Sequence, residues 1–162
     1  MLVLAVDPGM EGGVSAYAGD HFLWSKRVTN DKAAVLGVLQ WAQREAPKHG
    51  GLTVVVERQF QGRGAKMNPS TTETLMRSRF LWEILSDVLG IEVVLVWPSS
   101  WQSKTLCLAP PVDEKGKKLN TTKKQSIWVA KHFVKDQDWS DGEADSALIG
   151  RWHVKQRAKE AF

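Results

Sequence analysis

An α/β fold built on one five-stranded mixed sheet is predicted by three features of the chain. Near-continuous apolar runs at 2–6, 52–56 and 91–96 read as strands buried on both faces. Segments of helical periodicity separate these runs, which favours parallel pairing through crossovers. Short glycine turns join the first run to two further strand-like stretches, 14–18 and 21–28, as in an antiparallel meander. The order is β-β-β-α-β-α-β-α, with helices flanking the sheet.

The 162 residues suit a single domain, 1–162, large enough to bury a core without staples. With 43% hydrophobic and 25% charged residues the composition is that of a soluble protein, and no apolar run reaches the length of a membrane span. The single Cys107 forms no internal disulfide, and the chain opens on a strand with no secretory signal, so the expected location is cytoplasmic, with no membrane association. A net charge of +4 permits a polyanionic partner, and where that charge lies matters more than its size.

The first strand ends in Asp7-Pro8-Gly9, where proline stops the ladder and glycine turns the chain, leaving a carboxylate at a rigid strand end. Asp31 is placed to cap a helix running to about Ala46, with Ala34, Val35, Val38, Leu39 and Trp41 on its apolar side and Pro47 and Gly50-Gly51 at its end. The next strand, 52–57, ends in Glu57, and parallel pairing puts Glu57 beside Asp7. Two carboxylates there repel one another unless a proton or a cation intervenes.

A basic, glycine-containing loop follows, in which Phe60 lies among Arg58, Arg63 and Lys66, the combination that single-strand binders use for stacking and charge. Ser70, Thr71 or Thr72 is expected to cap a helix to about Leu89 that carries more apolar surface than one core face needs, with part of it available to a second subunit. After the strand 91–96, Trp97-Pro98-Ser99-Ser100-Trp101 opens a short helix, and both tryptophans read as packing residues. Residues 107–120, with Lys115, Lys117 and Lys118, read as a mobile basic loop.

Thr121 or Thr122 then caps a helix whose first turn holds Lys123 and Lys124. Cations there oppose the helix dipole, and a nearby phosphate or carboxylate cluster explains them. The last helix starts at the capping box Ser140-Asp141-Gly142-Glu143. Asp145 lies on an otherwise apolar helix, where an unpaired carboxylate is costly, and Asp141 is one turn away on the same face. Asp, Glu, Asp, Asp gathered on one sheet call for divalent cations. Oxygen ligands suit Mg2+, with Mn2+ able to substitute, and two ions can hold the attacking and leaving oxygens of a phosphodiester.

In its ordered motifs the chain resembles the RuvC-type Holliday junction resolvases of the RNase H-like superfamily, especially their compact bacteriophage forms. The matching stretches are Val6-Asp7-Pro8-Gly9, Val56-Glu57-Arg58-Gln59-Phe60, Val96-Trp97-Pro98-Ser99-Ser100-Trp101-Gln102, Thr122-Lys123-Lys124-Gln125-Ser126 and 141–149. The resemblance spans nearly the whole chain and implies an RNase H-like fold. It implies Asp7, Glu57, Asp141 and Asp145 as metal ligands, Lys123 or Lys124 as the active-site lysine, and Phe60 as the aromatic beyond the glutamate. It also implies a homodimer that nicks four-way DNA junctions symmetrically, in a bacterial or phage-infected cell, with no small-molecule cofactor. Apart from the resemblance, Arg58, Arg63, Lys66, Lys115, Lys117, Lys118 and Lys124 lie in expected loops or first helical turns, where they are available to DNA phosphates. Bacterial cellular members usually space the last two ligands three apart, and that position here is Gly142, so Asp141 is less secure a ligand than Asp145; its acidic neighbour Glu143 points elsewhere and has a capping role to fill.

Three other readings share features with this one. An actin-like or sugar-kinase ATPase also begins with a strand and Asp-x-Gly but needs two such domains. A non-catalytic nucleic-acid binder gains nothing from four carboxylates beside phosphate. A different RNase H-like nuclease, acting on hybrid or branched substrates, is separated by substrate preference.

Overall fold

Leu2–Asp7 forms β1, the middle strand of a five-stranded sheet of order β3-β2-β1-β4-β5. The structure is a computed structural model that describes residues 1–9, 12–29, 31–58, 69–135 and 137–160. Antiparallel pairing joins β1 to β2 (Gly13–Ala18), which pairs in turn with β3 (His21–Arg27) across a register shift at Ala16/Tyr17. On the other side, β1 runs parallel to β4 (Leu52–Glu57), and β4 parallel to β5 (Glu92–Val96). The sheet is mixed, as the glycine turns and helical crossovers predict.

The apolar run of β1 serves two cores, because successive side chains point to opposite faces. Leu2, Leu4 and Val6 pack with Leu39, Val54, Val56 and Trp82 under α1 (Lys32–His49) and α2 (Pro69–Val88). Val3 and Ala5 join Tyr17, Val55, Trp101, Val129, Leu148 and Ile149 on the other face. That face is covered by α3 (Pro98–Thr105), α4 (Thr122–Phe133) and α5 (Asp141–Glu160), with α5 lying across β1, β2 and β3. Among the described residues no helix is long and apolar enough to cross a membrane.

Several boundaries differ from those expected. Asp31 caps α1 by accepting from the Ala34 N–H at 3.1 Å, but the helix runs through Pro47 to His49 and stops only where Gly50 takes φ 73° and donates to the Ala46 carbonyl. A late proline costs one helical bond without forcing termination, whereas a left-handed residue does terminate. Helix α2 begins at Pro69, so position 70 and those after it lie inside the helix rather than at its cap. Strand β5 begins at Glu92, because Ile91 still belongs to the preceding turn and donates to the Ser86 carbonyl.

The segment 107–120 has more order than an open loop. A 3-10 turn, Leu106–Leu108, precedes a small hairpin with a Val112–Lys118 bridge. Asp113 Oδ1 closes its tip by accepting from the N–H groups of Lys115 at 3.0 Å and Lys117 at 2.7 Å. Thr121, rather than Thr122, caps α4.

Candidate active site

Asp7 and Glu57 lie at the C-terminal ends of β1 and β4, one step beyond the register pair Val6–Val56. Asp141 and Asp145 come to the same edge on the first turns of α5, which the sequence brings unusually close to the sheet. A Cβ on Gly13 would overlap the Gly142 carbonyl, and one on Gly150 would lie 2.5 Å from the Tyr17 ring. Glycine at both points lets the helix backbone settle onto β2. A buried chain of hydroxyls completes the docking: Ser15 Oγ meets Ser25 Oγ and Ser146 Oγ, each at 2.7 Å, and Tyr17 donates to the Ala147 carbonyl at 2.7 Å.

Glu143, the acidic neighbour of Asp141, is used elsewhere. Its Oε2 accepts from the Ser140 N–H at 3.1 Å and from Ser140 Oγ at 2.5 Å, the return half of a capping box. Asp141 instead faces Lys123, whose Nζ donates to its Oδ2 at 2.7 Å. Lys124 points away and reaches Asn120 Oδ1 at 3.3 Å. Of the two lysines left open by the sequence, Lys123 is therefore the one among the carboxylates. Its side chain is 70% exposed, so the pair with Asp141 is easily exchanged for another anion.

The electrostatics are those of crowded acids. Burial pushes the Asp7 carboxyl well above its usual range, Glu57, Asp145 and Asp141 push it further, and Lys123 opposes them. Glu57 is raised to about 7, chiefly by burial, while a hydrogen bond from Trp101 works the other way and Asp145 adds to the rise. Asp145 is raised to about 6 by burial, with Asp141 adding and Ser126 and Lys123 opposing. Ser126, on α4, influences Asp145 without making a well-formed hydrogen bond to it. Ser126 Oγ and Asp145 Oδ1 are both buried atoms lacking such a partner.

This donor set fits a divalent cation. An orphaned buried carboxylate oxygen and four acidic side chains in mutual electrostatic range gain from a positive charge that water does not supply. Among the described residues no three His, Cys, Asp or Glu side chains are grouped so as to hold a metal ion by themselves. Mg2+ does not require such a grouping, since it keeps several waters and binds one or two carboxylates together with substrate phosphate.

Two residues to which the sequence assigns no functional role belong to the site. Trp101, which reads there as a packing residue, is wholly buried, yet its Nε1–H donates to Glu57 Oε1 at 2.7 Å. Ser126 faces Asp145. The sequence signals for Trp101 are its place in the motif stretch 96–102 and its position on the helix that follows the third parallel strand, at the same sheet edge as both strand-end carboxylates.

Beside Glu57, the Arg58 guanidinium lies 4.6 Å from the centre of the exposed Trp97 ring. Lys115, Lys117 and Lys118 are exposed on the hairpin. Phe60, Arg63 and Lys66 lie outside the described residues.

No family model matches the chain, and no curated protein matches it. Solved structures do. RuvC of Thermus thermophilus in complex with a Holliday junction substrate has a TM-score of 0.63 at 15% identity, with 98% of this chain and 96% of that one covered. A second T. thermophilus RuvC structure gives 0.62 at 15% identity over 98% and 97% of the two chains. The yeast mitochondrial Holliday junction resolvase gives 0.52 at 14% identity, covering 98% of this chain and 82% of its own. The fold is thus that of RuvC, an RNase H-like α/β architecture extending over nearly all of the chain.

Proposed function

We propose that this protein is a RuvC-type Holliday junction resolvase, a metal-dependent endonuclease that nicks four-way DNA junctions symmetrically as a homodimer. The observation that carries this reading is the gathering of Glu57, Asp145 and Asp141 about Asp7, with Lys123 on Asp141, at the strand-end edge of a RuvC fold. One of the similar structures is RuvC in complex with a Holliday junction substrate, which supports a branched DNA as the partner.

In this mechanism Asp7, Glu57, Asp141 and Asp145 would hold two Mg2+ ions, or Mn2+ in their place, which would supply Lewis-acid activation of the attacking water and charge stabilisation at the leaving 3′ oxygen. The chain does the rest. Trp101 keeps one oxygen of Glu57 fixed, so that the ligand is oriented before substrate arrives. Lys123 leaves Asp141 for the scissile phosphate and offsets the charge that grows there. Arg58, Phe60, Arg63 and Lys66 follow Glu57 in sequence and would meet the DNA near the cut.

The dimer is supported by α2, where Phe80, Ile84 and Val88, spaced four apart on one stripe, are 40%, 60% and 74% exposed. Ile84→Glu should give a monomer by analytical ultracentrifugation that no longer makes paired nicks. The activity itself is tested by comparing a four-way junction, a flap, an RNA–DNA hybrid and a linear duplex, with and without Mg2+. Mg2+-dependent symmetric cutting of the junction alone is expected, and preferential cutting of the hybrid would replace this reading with that of a hybrid ribonuclease.

A further inference from the structure

Ser126 carries a buried hydroxyl that the mechanism above does not use. It lies in the middle of α4, 1% exposed, and its Oγ has no hydrogen-bond partner among the described residues. Other helical hydroxyls behave differently. Thr74, Ser103 and Thr105 each donate to the carbonyl four residues back, at 2.9, 2.9 and 2.7 Å. That back-bond is open to any serine or threonine inside a helix, and Ser126 does not take it.

An acceptor in the same condition lies across the seam between α4 and α5. Asp145 Oδ1 is buried and unpartnered, although Asp145 as a whole is only half-buried, so access to this side chain lies on the Oδ2 side. Lys123 and Ser126, three residues apart on one face of α4, stand against Asp141 and Asp145, four apart on one face of α5. Below them Ala130, Ala144 and Ala147 are buried in one cluster, and side chains this small let the two helices approach closely enough to shut water out of the seam. A buried donor and a buried acceptor that face each other are each costly alone, and one bond satisfies both.

We infer that Ser126 is a positioning residue for the metal site: its O–H donates to Asp145 Oδ1 and so turns Oδ2 toward Asp7 and Asp141, where it serves as a single-oxygen ligand of a divalent cation. A rotation of the serine side chain about its Cα–Cβ bond closes the contact and leaves the helix backbone where it is. The inference rests on the metal-dependent resolvase reading and adds to it the group that orients one of the ligands. Glu57 then has its donor in Trp101, Asp141 in Lys123 and Asp145 in Ser126.

The test measures Mg2+ binding to the whole protein by calorimetric titration without DNA, beside thermal melts of the metal-free protein. Ser126→Ala removes the donor at a helix position that tolerates alanine well, and Ser126→Cys keeps the volume but offers only a weak donor. Both should melt close to the unmodified protein and bind Mg2+ about 10–100-fold more weakly. Ser86→Ala removes an equally buried and unpartnered hydroxyl from α2 and should leave Mg2+ affinity unchanged. In single-turnover cleavage the Mg2+ midpoint of Ser126→Ala should rise by the same factor as the affinity falls, with most of the rate restored at high Mg2+ and junction affinity in metal-free buffer unaltered.

Unchanged Mg2+ affinity in Ser126→Ala would overturn the inference, as would an equal loss in Ser86→Ala. So would full affinity in Ser126→Cys beside a loss in Ser126→Ala, which would make the position one of volume, or affinities that simply follow melting temperature from variant to variant. Failure of the activity reading is separable. If both Ser126 variants lose Mg2+ affinity but no DNA is cut, the positioning role stands and the nuclease assignment falls. If junctions are cut but the Mg2+ affinities are equal, the reverse is true. An unmodified protein that binds neither Mg2+ nor Mn2+ would remove both.

Discussion

The indole N–H of Trp101 donates to Glu57 Oε1 across 2.7 Å within the second core, tying a fully buried aromatic on α3 to the acidic end of β4. The bond opposes the burial that raises the Glu57 carboxyl to about 7, and so favours its ionised form. Trp101→Phe keeps most of the ring and removes the donor. Mg2+ affinity should fall about 10–100-fold by calorimetric titration, the range expected when a partner of a metal ligand is lost. Glu57→Gln should mask most of that loss in the double variant, and purely additive effects would make Trp101 a packing residue only.

For the carboxylates themselves, Asp7→Asn, Glu57→Gln and Asp145→Asn should each abolish cleavage while junction binding persists in metal-free buffer. Near-normal cutting by Asp145→Asn would remove it from the site. Glu143→Gln should leave cutting largely intact and change stability little in denaturant unfolding, because an amide oxygen can still accept from Ser140 in the cap of α5. A dead Glu143→Gln beside an active Asp141→Asn would exchange their roles.

Lys123 and Lys124 are neighbours with different tasks. Lys123→Ala should lower the single-turnover rate at saturating enzyme by about 10²-fold or more, as for loss of a charge-stabilising donor, with a smaller effect on affinity. Lys124→Ala should act through affinity and lower the salt slope by about 0.9. Reversed results would give Lys124 the catalytic place.

Stability should respond to pH and Mg2+ together. With carboxyls raised to about 7 at Glu57 and about 6 at Asp145, and Asp7 raised as well, the folded chain holds more protons than the unfolded chain between about pH 4 and 7. Without metal, stability therefore falls as pH rises through that window, and no contribution from these groups is lost below pH 4, where both states are protonated. Mg2+ at about a hundred times its Kd should raise Tm by roughly 5–10 °C above pH 7 and by much less near pH 5, where protons occupy the same oxygens. Equal Mg2+ shifts at both pH values, by differential scanning calorimetry, would mean that the cation binds elsewhere.

Gly13→Ala tests the seat of α5. A methyl group there would collide with the Gly142 carbonyl, with backbone on both sides, so the helix must move. A stability loss of about 1–3 kcal/mol is expected, along with weaker Mg2+ binding as Asp141 and Asp145 are displaced. A loss of stability with unchanged Mg2+ affinity would uncouple the helix seat from the site.

The sheet and most helix starts were legible locally. Alternating and continuous apolar runs mark strands whatever surrounds them, and Asp31, Thr121 and Ser140 lie within reach of the N–H or carboxylate groups they meet three residues on. The carboxylate constellation was legible too, because strand order and crossover hand bring consecutive parallel strands together and put Asp7 beside Glu57. Asp145 drew notice as a charge on an apolar helix, a conflict that a binding site resolves.

Other features depend on distance through space and have no trace in spacing along the chain. Adjacent lysines on a helix differ in direction by about 100°, and only the packing of α4 on α5 turns Lys123 toward Asp141 and Lys124 away from it, toward Asn120. Trp101 lies 44 residues from the glutamate it holds, and its apolar neighbours disguise a polar task. Composition and periodicity thus determine which elements form and which edge carries the acids, while partner choice at that edge arises when helix faces are rotated into register by the buried packing beneath them.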